Sequence, residues 1–269
     1  MMHQSIRNGI SLLGLAVSIT FVQLAGAHFA WIEAEATAPS SAGQSVQVYF
    51  GEYSEFLREE QGGRLDAMEG ISMNVRHPKQ PVSEVALAKE VNRFAGKLTG
   101  CLPGRNELVA EQRDAPVQDL RSHDMGVVKP MYYARASFIC LEDGRVSEQE
   151  KGAPAPMELD IIPLSRGMNL ATGRMVHPPG SEVVVKAFFK GQGLPATQLI
   201  VHSPIGWDKE LHTGADGVAT FTPLWPGRYV LELVHVEKVG GEFRGKPYEA
   251  LRHRSTLSIQ VVPDHAGEK

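Results

Sequence analysis

The chain has 269 residues, of which 42% are hydrophobic and 22% are charged, and its formal net charge is −4 at pH 7. A mildly acidic chain of ordinary composition lacks the basic footprint of nucleic-acid-binding proteins, so we expect no nucleic-acid partner. Beyond residue 27 no apolar run approaches the ~20 residues that a membrane helix needs, so we expect no membrane span in the mature chain.

Residues 1–27 have the layout of a secretory signal peptide. Arg7 precedes an apolar run over residues 10–24, and the small residues AGA at 25–27 match a cleavage site. The apolar run is too short to hold a stable membrane span. We therefore expect a protein that is periplasmic or secreted, with a mature chain that begins at His28.

An amino-terminal histidine is a candidate metal ligand. Its free α-amino group and its imidazole Nδ1 can close a chelate ring on Cu(II) or Ni(II), and imidazole suits both metals. The alternative for His28 is an inert surface residue at a new terminus. The apolar residues Phe29–Trp31 that follow are typical of the start of a strand.

The rest of the N-terminal half is predicted to consist of strands and loops. Residues 45–53 and 132–141 alternate between apolar and polar side chains and are rich in aromatic and β-branched residues, which predicts two strands. Residues 83–98 are compatible with either a short helix or two strands. Residues 102–126 are polar and are predicted to form a loop. This loop contains His123, a second candidate ligand, because a methionine two residues later makes a soft-metal pairing.

Cys101 and Cys140 are the only cysteines of the chain. In an oxidising compartment an even pair predicts a disulfide. The alternative, a thiolate metal site, lacks the close cysteine spacing that such sites use.

A connection is predicted between two domains. Residues 142–156 are charged and then rich in Pro and Ala, which is typical of a linker. Residues 157–164 are predicted to form one more strand, closing the first domain. We therefore divide the chain into an N-terminal β-rich domain over 28–166 and a C-terminal domain over 167–269.

The C-terminal range contains about seven short strand patterns in about 100 residues, which favours a β-sandwich. It contains neither a Gly-rich phosphate loop nor a βαβ pattern, so a nucleotide-binding α/β fold is not expected. The predicted fold class is mainly β, with two β-sandwich domains after a cleaved signal peptide.

His235 and His253 are predicted to face each other across the last hairpin. Each shares a strand face with apolar residues, and the two lie at equal offsets from a turn centred near Arg244, so their Cβ atoms should be roughly 5 Å apart. Two such imidazoles can bind one metal ion. The alternative is that each ring only hydrogen-bonds a backbone carbonyl or a nearby carboxylate, with Glu237 and Glu249 as the neighbours.

Several segments together carry a family resemblance. They are His28 with Trp31 nearby, YFGE at 49–52, YYARASF at 132–138, GADGVATFTPLWPGRYVLELVH at 214–235 and YEALRHRSTLSIQV at 248–261. The chain resembles a family of bacterial exported proteins catalogued as a domain of unknown function and formerly labelled the nickel-uptake substrate-specific component. The DG…TF…PGRY part is also similar to transthyretin-like and collagen-adhesin B-type sandwiches. The resemblance implies a β-sandwich architecture, export and a part in nickel or cobalt handling.

The function expected from these observations is a soluble, exported, non-catalytic protein that handles nickel, cobalt or copper. Its cofactor or cargo would be a divalent transition metal, and its partner a metal transporter or an outer-membrane receptor. The alternative is a β-sandwich module that binds a glycan or an envelope protein and whose histidines are structural. A copper oxygenase built on an amino-terminal histidine needs a solvent-facing pair of imidazoles, and the inward-facing hairpin pair argues against it.

Overall fold

The computed structural model describes residues 28–35, 37–39, 43–77, 80–143, 145–146, 156–165 and 177–263. The predicted signal peptide and the predicted domain boundary at residue 166 lie outside these ranges. Within them the chain forms β-strands and two short 3-10 helices, Arg64–Met68 and Arg121–His123. The prediction of a mainly β, sandwich-type fold is confirmed.

The strands of the N-terminal range are β1 (Phe29–Ala34), β2 (Thr37–Pro39), β3 (Gln44–Glu52), β4 (Leu57–Arg58), β5 (Ser72–His77), β6 (Gln80–Val85), β7 (Leu87–Lys89), β8 (Phe94–Leu98), β9 (Gly104–Gln112), β10 (Gln118–Asp119), β11 (Val127–Glu142), β12 (Arg145–Val146) and β13 (Leu159–Pro163). Those of the C-terminal range are β14 (Val183–Phe189), β15 (Gln192–Gly193), β16 (Gln198–His202), β17 (Asp208–His212), β18 (Val218–Phe221), β19 (Gly227–Glu237), β20 (Gly241–Phe243), β21 (Lys246–Tyr248) and β22 (Ala250–Val261).

One long sheet runs through both predicted domains. Its strand order is β17-β16-β19-β22-β11-β9-β5-β6, and the parallel pairing of β11 with β22 joins the two ranges. The smaller β1-β3-β8-β7 sheet belongs to the N-terminal range, and a third sheet joins β13, β14, β15 and β18. The division at residue 166 remains a prediction, but no gap in hydrogen bonding separates β11 from β22.

The two small sheets pack on opposite faces of the long sheet. Strand side chains alternate between faces. In β11, Tyr132, Ala134 and Phe138 therefore join a core with β1 and β3, whereas Tyr133 joins a core with β13, β14 and β19. Each face of β11 is thus covered by a small sheet, and this explains why nearly all of its residues are buried.

Three local predictions are decided by the structure. Residues 83–98 form strands, not a helix, because Val85 and Phe94 are buried in the same core while Val91 is 60% exposed at the turn between strands. The strand predicted at 157–164 is confirmed as β13, and its hydrogen-bonded neighbour is β14 of the C-terminal range.

The prediction that 102–126 is a loop was wrong for β9. Its buried polar residues all have partners: Asn106 and Gln112 donate to backbone carbonyls, and Glu107 pairs with a buried cation. Arg135 binds Glu107 at 3.2 Å and Asp160 at 2.6 Å, and all three side chains are at most 4% exposed. The polar residues of β9 therefore led to a loop prediction for a strand that is mostly buried.

Candidate metal centre

The β19–β22 hairpin positions three polar side chains on one face of the long sheet. The register pairs His235 directly with His253, as equal offsets around Arg244 predict. Glu237 follows His235 by two residues and so lies on the same face. It pairs with Leu251 and therefore reaches His253 along the diagonal.

His253 is the most enclosed member of this group, with 0% exposure. Its ring stacks on Tyr133 at a centroid distance of 5.9 Å and meets the edge of Phe189 at 5.3 Å. Nδ1 lies 3.1 Å from the Tyr133 hydroxyl. Nε2 is buried and has no hydrogen-bond partner; it lies 3.5 Å from Glu237 Oε2, within ion-pair distance. A buried, unpartnered ring nitrogen that faces a carboxylate calls for an explanation.

Glu158 completes the group from a distant part of the chain. It lies one residue before β13, which packs against β19 and β22 in the second core. One potential ligand atom each from Glu158, Glu237 and His253 lies within 4.8 Å of the others. Within the described ranges, these three form the one group of this kind. We call Glu158, Glu237, His253 and the neighbouring His235 the hairpin centre.

His235 stands at the edge of this centre. Its half-buried ring packs on Phe189 at a centroid distance of 4.1 Å and lies 6.4 Å from the ring of His253. It is not a member of the 4.8 Å group, so it would have to move toward His253 to share an ion.

The charge states suit cation binding. Burial lowers the pKa of His253 and that of His235, so both rings are neutral and carry a free lone pair at neutral pH. A hydrogen bond from Lys190 lowers the pKa of Glu237, which keeps this carboxylate ionised. Metal ligands must be deprotonated in this way.

Two surface cations hold the carboxylates. Lys190 Nζ lies 2.5 Å from Glu237 Oε1, and Arg113 Nη1 lies 3.2 Å from Glu158 Oε2. Both cations are about half exposed, whereas the two carboxylates are about one-quarter exposed. The centre is thus closed by His253 on the inner side and reaches the surface through its carboxylates.

His28 lies on the other face of the long sheet. Its buried ring contacts Glu59 through Nε2 and lies 3.1 Å from Glu52 Oε1 through Nδ1, and Arg64 also approaches both nitrogens. Arg254 donates a 2.7 Å hydrogen bond to the His28 carbonyl. Because residues 253 and 254 point to opposite faces of β22, the structure does not bring His28 together with His235 and His253.

His123 and the cysteines lie away from the hairpin centre. His123 ends a 3-10 helix with an exposed side chain, and in the described chain its ring contacts none of the other three candidate histidines. Cys101 and Cys140 are bridged by a disulfide with a Cα–Cα distance of 5.9 Å. Both sulfurs are used in that bond, so neither is available as a thiolate ligand.

Sequence reasoning missed Glu158 and Tyr133 as parts of the centre and weighed Glu237 only as a hydrogen-bond partner. For Glu237 a signal existed, since it follows His235 by two residues. Glu158 and Tyr133 reach the site through the pairing of β13 with β14 and of β11 with β22, which no local pattern reveals.

A family model described as a domain of unknown function, DUF4198, matches residues 25–237. The chain belongs to the DUF4198 family. The match covers His28, Tyr133, Glu158, His235 and Glu237, and it ends before β22 and His253. No curated protein matches this DUF4198 chain. Among its described residues no helix is both long and apolar enough to cross a membrane.

Proposed function

We propose that this DUF4198 protein is an exported, non-catalytic metal-binding protein that holds a divalent transition metal at the hairpin centre. The observation that carries the proposal is the buried Nε2 of His253, which has no hydrogen-bond partner and lies 3.5 Å from Glu237 Oε2, in a group that Glu158 completes. His235 would supply a fourth ligand.

The electrostatics of the metal-free centre support this assignment. A neutral imidazole carries a hydrogen on one ring nitrogen and a lone pair on the other, and His253 Nε2 lies 3.5 Å from the negative oxygen of Glu237. In the tautomer with the lone pair on Nε2, these two electron-rich atoms repel each other, and a cation between them would remove the repulsion. Burial disfavours a proton on His253, since it lowers the pKa of that ring. A divalent ion would bind both Nε2 of His253 and Oε2 of Glu237, whose other oxygen is held by Lys190.

The donor set favours borderline metals. Imidazole nitrogen and carboxylate oxygen suit Ni(II), Co(II), Cu(II) and Zn(II), whereas soft Cu(I) prefers thiolate and thioether. We therefore propose nickel, cobalt or copper as cargo, in keeping with the nickel-uptake label of the family that the sequence resembles. Intrinsic affinity favours copper over nickel and cobalt, so the physiological cargo depends on which metal is available.

The proposal also includes where the protein is located and which partner receives the ion. The signal-peptide layout of residues 1–27 supports a periplasmic or secreted protein, and a metal transporter or an outer-membrane receptor would receive the ion. Cleavage after Ala27 would free the α-amino group of His28 next to an imidazole that already lies 3.1 Å from Glu52. His28 is therefore a second, separate candidate ligand on the opposite face of the sheet.

Calorimetric titration of the mature protein with Ni(II), Co(II) and Cu(II) tests the proposed function. Glu237→Gln and His253→Gln should each weaken binding at the hairpin centre at least tenfold, because each removes a ligand. His212→Gln is the matched control: His212 is an exposed histidine, 3.4 Å from Glu210, on the same long sheet. It should leave the affinity unchanged.

Equal affinity in the wild type, Glu237→Gln and His253→Gln would contradict the hairpin centre. If His253→Gln lowers stability and the wild type binds no metal, the histidines are structural. That result would favour the alternative of a module that binds a glycan or an envelope protein.

A further inference from the structure

Three polar groups form a chain from the surface to the inner side of the hairpin centre. Glu158 Oε2 lies 3.3 Å from the Tyr133 hydroxyl oxygen, which in turn lies 3.1 Å from His253 Nδ1. The Tyr133 and His253 rings are nearly parallel, at 9°. The hydroxyl of Tyr133 thus links a carboxylate to the ring nitrogen opposite the unpartnered one.

The directions of the hydrogens follow from what each group can do. The Tyr133 hydroxyl has a single hydrogen to donate, and Glu158 Oε2 lies 3.3 Å away as its acceptor. Glu158 binds Arg113 and is an acceptor only. If the tyrosine hydrogen pointed at His253, an oxygen lone pair would face the carboxylate of Glu158. The hydroxyl donates to Glu158 and so accepts from Nδ1–H of His253. This arrangement turns the Nε2 lone pair toward Glu237 at 3.5 Å, a repulsion that a bound cation would remove.

We propose that Tyr133 is a positioning residue that fixes His253 in the Nδ1–H tautomer and so presents Nε2 as a ready ligand to a divalent cation. This inference rests on the proposed metal function. With the other tautomer, Nε2–H would point toward Glu237, and the ion would first have to displace that proton. Hydrogen bonding of the second ring nitrogen is the general way in which proteins orient a ligating histidine.

The chain offers a matched control for a tyrosine variant. Tyr132 is the next residue of β11, is equally buried, and points to the opposite face, where it meets the edge of Phe50 at 5.4 Å. Tyr132→Phe removes a buried hydroxyl from the same strand without touching His253. Tyr133→Phe removes the link between Glu158 and Nδ1 and keeps the stacked ring.

The test combines ring-nitrogen NMR of the metal-free protein with Ni(II) titration. The wild type should show His253 as the Nδ1–H tautomer. Tyr133→Phe should shift it toward Nε2–H, which then donates to Glu237, and should weaken Ni(II) binding about 10- to 100-fold. Tyr132→Phe should leave both the tautomer and the affinity unchanged.

Three results would overturn the inference. The first is an Nε2–H tautomer of His253 in the wild type, which requires no variant to observe. The second is a Tyr133→Phe protein with unchanged affinity for Ni(II), whatever its tautomer. The third is a wild type that binds no Ni(II), which removes the proposed function as well, whereas either of the first two with a metal-binding wild type leaves that function intact.

Discussion

At the scale of single residues, most of the buried ionisable groups described here have partners of opposite charge. Arg135 is enclosed by Glu107 and Asp160, and His202 lies between two carboxylates. His253 differs, because one of its nitrogens has a partner and the other has none. Burying a polar atom without a partner costs about 1–3 kcal/mol. Trp207 Nε1 and Ser255 Oγ are also buried without a partner, but His253 differs from them in belonging to a group with two carboxylates.

His202 is a buried histidine whose two ring nitrogens both contact carboxylates, and the pH dependence of stability tests its contribution. Burial lowers its pKa, but hydrogen bonds with Asp208 and Glu232 outweigh burial and raise the pKa to about 9. Because this lies above the value of an unfolded histidine, the protonated ring stabilises the fold below about pH 6.5, and the stabilisation is lost as the pH rises through 9. The free energy of unfolding should therefore fall over this window, by at most about 3 kcal/mol.

Chemical denaturation at pH 6, 7.5 and 9 measures this slope. His202→Gln should flatten it, although the variant also loses the stacking of Phe29 on the ring at 5.0 Å and will be less stable throughout. His212→Gln, at an exposed position, should keep the wild-type slope. An unchanged slope in His202→Gln would show that other groups carry the pH dependence.

At the scale of strands, the sequence predicts individual strands and hairpin register, but not contacts between residues that are far apart in the chain. Alternation identified β3, β11, β19 and β22, and symmetric offsets around Arg244 predicted the register of His235 against His253. The burial of β9 was not predicted because its polar residues find partners outside the strand, such as Arg135 of β11 for Glu107 and the Glu69 carbonyl for Gln112. Likewise, the separation of His28 from the hairpin centre depends on which face β1 covers, and no local pattern encodes that.

The pairing of β11 with β22 leads to a prediction about unfolding. Since one sheet joins both predicted domains, we expect the two ranges to unfold together in a single transition. In a Trp207→Phe/Trp225→Phe protein, the fluorescence comes from Trp31 alone, which is buried in the N-terminal range. In a Trp31→Phe protein, it comes from Trp207 and Trp225 in the C-terminal range.

The fluorescence transitions of these two proteins in denaturant are compared with circular dichroism of the same samples. In each protein the fluorescence midpoint should coincide with the circular dichroism midpoint. A C-terminal transition that separates from the overall loss of strand signal would instead show two independently stable units.

At the scale of the whole molecule, the long sheet separates two groups of candidate ligands. The hairpin centre lies on the face covered by β13 and β14, whereas His28 with Glu52 and Glu59 lies on the face covered by β1 and β3. An ion bound at one cannot share ligands with the other. The molecule therefore has two separable candidate sites, and the proposed function assigns the ion to the hairpin centre.

Anomalous diffraction at the nickel absorption edge, from crystals of the Ni(II)-loaded mature protein, tests this assignment most directly. We expect a peak about 2.1 Å from His253 Nε2, within reach of the carboxylates of Glu237 and Glu158. A peak only at His28, or density for bound nickel elsewhere with the hairpin centre empty, would contradict it.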